Sequence, residues 1–192
     1  MRFYHLSTLG VPSRELAIID SAPRPGGKAS ARLATGDRAK PYYPLTASIS
    51  LSEDKPGIQL SSLLGNTLSC LVVNSMLKQT IEEHCQGIEI EYFSFDLYDH
   101  RERLYSKDYW IINPIGTLDC LDVAATQAAM EALMDPWSES PYVLNSAKLN
   151  GAPSLFRLHG EPMEYVIDEK LATALKERAF TNVILHELAI RT

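Results

Sequence analysis

With 192 residues, 45% of them hydrophobic and 22% charged, the chain has the composition of a globular body large enough to bury a core without disulfides or a structural metal. The formal charge of -6 is uneven, since residues 1–57 carry 8 Lys/Arg against 5 Asp/Glu and residues 58–192 carry 10 against 19, a balance that argues against nucleic acid and for a basic protein partner. No run approaches the roughly 18 apolar residues of a membrane span, and the start from Met1 to Leu6 has no leader-like apolar stretch, so a cytoplasmic protein with no membrane contact is expected.

Residues 1–57 read as an irregular N-terminal portion and 58–192 as a sheet-and-helix core, together one domain of 1–192. A strand at Phe3–Leu6 and an apolar run at Leu16–Ile19 precede a stretch rich in Pro, Gly and Ala from Ser21 to Pro44, which predicts a long loop. Inside it Pro25-Gly26-Gly27-Lys28-Ala29-Ser30 resembles a phosphate-cradling loop. Ala22 stands where that motif needs its first glycine, so a flexible basic loop is the better reading.

From Ile58 the pattern becomes regular. Leu71-Val72-Val73 signals a buried strand, Asn74 a helix N-cap, and Leu77, Ile81 and Cys85 one helical face, with Gly87 as the stop. Ile88, Ile90 and Tyr92 alternate with Glu89 and Glu91, and the run continues through Phe93, Phe95 and Leu97, which predicts a strand with one packed and one charged face. A turn over Asp99–Glu102 leads to the aromatic and β-branched Tyr109-Trp110-Ile111-Ile112, so a hairpin follows. Cys120 to Met134 is alanine-rich and predicts a helix closed before Pro136.

Tyr165-Val166-Ile167, Asp168, then Leu171, Leu175 and Ala179 repeat the earlier strand, cap and helical face at a constant offset of 94. Each copy ends in an apolar strand, Ile88–Phe95 or Val183–Leu188, reached through Gly87 or Asn182. Duplication and the generic spacing of packed helices explain this equally well. The fold class is therefore α+β, an antiparallel or mixed sheet with packed helices, in which two strand-helix-strand units would share one sheet.

Candidate chemistry is sparse. Cys70, Cys85 and Cys120 are odd in number and widely spaced, which favours reduced thiols in a core over disulfides or zinc, and no cofactor is implied. Asp119 and Asp122, with Glu131, could do acid-base or metal work, but a helix starting near 120 would use Asp119 as its cap and Asp122 in its first turn. His84 and Cys85 are adjacent on a helix and point apart. His5, His100, His159 and His186 are scattered, without ligand spacing, and read as isolated. The aromatics from Tyr92 to Trp110 lack interleaved Lys and Arg and read as sheet core rather than a base-stacking platform.

Tyr109-Trp110-Ile111-Ile112-Asn113, then Leu118-Asp119-Cys120-Leu121-Asp122, Leu155-Phe156-Arg157-Leu158 and Val166-Ile167-Asp168-Glu169-Lys170-Leu171 follow one another in an order that resembles the bacterial polymorphic-toxin immunity proteins. The resemblance spans Ile58 to Leu188 and hardly constrains the first 57 residues. It departs after Asp122, where Val123-Ala124-Ala125-Thr126 replaces a charged residue and a serine. It implies a protein made beside a secreted or contact-delivered toxin, protecting its producer by stoichiometric binding to that toxin. It carries over no catalytic residues, and it makes Trp110, Asn113, Phe156 and Arg157 structural. Two other readings stand beside it: a small hydrolase or transferase with a site under the 21–44 loop, which a pocket lined by Asp119, Asp122 and a histidine would favour, and an adaptor for a partner that is not a toxin.

Overall fold

The computed structural model of the chain describes residues 1–133 and 139–192 and is α+β. In order, the elements are β1 (Phe3–Leu6), β2 (Ile18–Ile19), α1 (Lys28–Thr35), β3 (Ser48–Ser50), β4 (Gly65–Asn66), β5 (Leu71–Asn74), α2 (Ser75–His84), β6 (Ile90–Tyr98), β7 (Leu104–Pro114), α3 (Val123–Ala132), β8 (Val143–Asn145), β9 (Leu155–Leu158), β10 (Glu161–Asp168), α4 (Glu169–Glu177), β11 (Leu185–Glu187) and β12 (Ala189–Arg191). One four-stranded sheet runs β3-β6-β7-β5 and a second β11-β1-β10-β9, while β2 pairs with β4 and β8 with β12.

The two strand-helix-strand units form as their sequences predict. Asn74 accepts from the amide of Leu77 at 3.0 Å and caps α2, and Asp168 accepts from Leu171 at 2.8 Å and caps α4. They do not share one sheet, however: β5-α2-β6 belongs to the first and β10-α4-β11 to the second. In each unit the two strands run parallel with a third inserted antiparallel between them, β7 in one and β1 in the other. The inserted strand satisfies the inner edges of its own unit, so each unit completes a sheet by itself.

Both sheets nevertheless contribute one face to the same apolar cluster. Tyr4, Leu6, Tyr165 and Ile167 from one, and Leu71, Val73 and Ile112 from the other, pack with Leu77 and Ile81 of α2 and Leu171 and Leu175 of α4. The opposite face of the first sheet, with Ile49, Val72, Phe93, Phe95 and Ile111, is covered by Ala17, Ile19 and Leu33. The opposite face of the second, with Phe3, Phe156 and Val166, is covered by Cys120, Tyr142 and Leu144.

This layering corrects three expectations. β6 does not have one packed and one charged face: Ile90 and Tyr92 pack toward the helices while Phe93, Phe95 and Leu97 pack toward the N-terminal portion. The 21–44 stretch contains α1, whose Ala29 and Leu33 are buried; with only eight residues, that helix offers too few apolar positions for periodicity to reveal. The alanine-rich helix starts at Val123 rather than Cys120, because Asp122 and not Asp119 caps it, accepting from Ala125 at 3.0 Å. Met134 and Pro136, expected at its end, lie outside the described residues.

Candidate functional site

The carboxylates singled out by sequence have separate structural partners. Asp122 is the cap of α3. Asp119 is paired with Lys148 at 2.9 Å, a bond that holds its carboxyl below the usual range, and it is 67% exposed, with His159 acting on it only through its charge. Glu131 meets Gln127 one turn away on α3. Lys28 opens α1 and its ammonium lies over the Tyr42 ring, together with Arg32.

His84 Nδ1 bonds Thr80 O within α2, His100 Nε2 reaches the carbonyls of Ser52 and Lys55, and His159 meets Thr117. Cys70, Cys85 and Cys120 are buried free thiols. Burial pushes them up to about 11, 12 and 11, so at neutral pH each is the unreactive protonated form.

The motif residues converge on one interior polar network. Arg157 on β9 is fully buried, and its guanidinium donates to the carbonyls of Leu33 (2.8 Å), Ala34 (3.4 Å), Pro114 (3.2 Å) and Pro162 (2.6 Å) and to Asn113 Oδ1 (3.1 Å). Leu33 and Ala34 end α1, where the helix leaves carbonyls unsatisfied and favours a cation. Gly36 closes that helix with φ 74, and a Cβ there would lie 2.8 Å from Arg157 Cδ, so glycine is required twice over. Asn113 donates to Asp37 O and to Glu91, whose carboxylate also takes the amides of Ala39 and Lys40. Tyr109 OH donates to Ser61 O, Trp110 Nε1 to Ser75 Oγ, and Lys78 lies over both Tyr92 and Trp110.

A second polar group was invisible in the sequence. Insertion of β1 between β10 and β11 sets His5 opposite His186, so two of the histidines read as isolated are in fact stacked, 6.2 Å between ring centres. Nε2 of His5 bonds Glu164 on β10 at 2.6 Å, and Tyr142 meets the His5 ring edge-on. Burial, then the charges of Glu164 and Glu161, push the Tyr142 phenol up. Nδ1 of His5 is buried and has no hydrogen-bond partner among the described residues.

Among known families, the model of the immunity protein family Imm11 matches residues 14–189. The chain belongs to that family. No curated protein matches it. The Imm11 match begins at residue 14, well before Ile58, so residues 14–57 fall within the range that the family covers. The network just described ties part of this range to the core: Arg157, Asn113 and Glu91 are all bonded to backbone between Leu33 and Lys40. No helix among the described residues of this Imm11 protein is long and apolar enough to cross a membrane.

Proposed function

We propose that this Imm11 protein neutralises a cognate bacterial toxin by stoichiometric binding in the cytoplasm, without turnover, and that a neighbouring gene encodes the toxin. The observation that carries the proposal is the family match across residues 14–189. The employment of the polar groups supports it: Asp122 caps a helix, Asp119 holds Lys148, and Arg157 and Asn113 fasten backbone, which leaves the acid-rich surface for recognition of a basic protein. The interior network also supports reading residues 1–192 as one domain.

The test is co-expression with the product of the adjacent gene, followed by size-exclusion chromatography with light scattering on the purified mixture. Growth is expected to be rescued and a complex of fixed stoichiometry to elute. A toxin that stays lethal and elutes alone refutes the proposal.

A further inference from the structure

On the second sheet, the face that holds Phe3, Phe156 and Val166 turns polar where β11, β1 and β10 carry His186, His5 and Glu164. A cavity of about 400 Å³ opens there, lined by these three residues and by hydroxyls from Ser7, Thr67 and Ser69 among others. β1, with His5, and Ser7 after it precede the range matched by the family.

The His5 side chain is 15% exposed and that of Glu164 29%, and a polar pair so enclosed rarely gains more than the apolar contacts it replaces. Nε2 of His5 bonds Glu164, and its buried Nδ1 has no hydrogen-bond partner among the described residues. Among the described residues Glu164 faces an imidazole and a phenol but is paired with no Lys or Arg, and a carboxylate has about four acceptor positions, so the unmet capacity here is for donors. The stacked His5 and His186 rings are part of the lining. A carboxylate with spare acceptors beside aromatic rings matches a guanidinium, which is planar, carries five donors and stacks on rings, better than it matches an ammonium.

We propose that this cavity receives an arginine side chain of the toxin, its guanidinium set against Glu164 beside the His5 and His186 rings. The proposal rests on the toxin-binding reading and names its anchor. A desolvated charge pair of this kind controls dissociation more than encounter, so loss of the carboxylate should weaken the complex at least tenfold, mainly through faster release.

The experiment has two arms. The isolated protein is titrated with N-acetylarginine N-methylamide, its citrulline counterpart and its lysine counterpart, with the resonances of the His5 and His186 rings and the Ser69 amide followed by NMR. Saturable shifts are expected with arginine, weaker ones with lysine and none with citrulline, and Glu164→Gln should abolish the arginine response. Equal responses to arginine and citrulline in the unmodified protein, or no response to either, overturn the proposal whether or not the variant folds. In the second arm the toxin from the neighbouring gene is bound to both forms. Equal affinity sinks the cavity proposal and leaves the immunity reading standing. If the toxin binds neither form, the immunity reading fails, and the toxin anchor that rests on it fails too, even if the arginine titration succeeds.

Discussion

Replacing Arg157 by Met would remove the donors of the interior network while filling much the same volume. Four of the bonds made by this guanidinium are 3.2 Å or shorter, to Leu33, Pro114, Pro162 and Asn113. At about 1 kcal/mol for each buried acceptor left unmet, the low end of the usual range, they come to about 4 kcal/mol. Relief of the guanidinium's own desolvation works the other way. Three of these acceptors, however, are backbone carbonyls that cannot be exchanged for apolar groups, so the case is that of one partner removed from a buried pair, about 3–5 kcal/mol. Against a typical stability of about 5–15 kcal/mol, that is a large share.

Urea unfolding should show the midpoint of Arg157→Met falling with its slope unchanged. Hydrogen exchange should show protection lost first between residues 28 and 40, where Leu33 and Ala34 end α1 and Glu91 takes the amides of Ala39 and Lys40. A loss under about 1 kcal/mol, or protection at 28–40 that stays level with the sheets, would refute the view that this side chain fastens the N-terminal portion.

The paired caps should respond alike in kind and differently in size. Asn74→Ala and Asp168→Ala are each expected to cost about 1–2 kcal/mol in thermal or urea unfolding, with Asp168 the larger because it is buried and also accepts from Ser154 Oγ at 2.8 Å. Equal and negligible effects would deny both caps. In the β6–β7 turn, the Arg103 guanidinium and the backbone amides of Arg103 and Arg101 hold the Asp99 carboxyl down to about 2 from its ordinary 3.8. A depressed folded value means that this contribution is complete above about pH 4 and vanishes as the pH falls toward 2, so the stability gap between the unmodified protein and Asp99→Asn should close over that window; a constant gap contradicts the assignment. The three thiols should resist a disulfide reagent at pH 8 and label only at the rate of unfolding, and prompt labelling of any one of them would show that it is not enclosed as described.

What could be read from sequence was local. Asn74, Leu77 and Ile81 announce a capped amphipathic helix within eight residues, and Asp168 with Leu171 and Leu175 does so again, because capping and helical spacing depend only on near neighbours. Which strand lies between two others is decided by pairing across the whole chain. That is why β1, at the start, was not placed between β10 and β11 near the end, and why His5 and Glu164 looked unrelated. α1 was missed for another reason: its stability comes from Arg157 at its C-terminal carbonyls, a tertiary contact with no local signature.

The two interior polar groups are distinguished by what each leaves unsatisfied. Arg157 is surrounded by acceptors that it fully uses, four backbone carbonyls and the Asn113 side-chain oxygen, and these bonds tie separate stretches of the chain together, so its work ends with the fold. His5 and Glu164 make one bond to each other, sit at the margin of an apolar face, and leave the buried Nδ1 of His5 without a partner among the described residues beside a carboxylate that can accept further donors. A fold selected for stability alone would fill that position with a side chain like its neighbours Phe3 and Val166. Local departures from what folding favours collect where a molecule meets something else, and in a protein whose surface is acid-rich the missing donor is most economically supplied by a cationic partner.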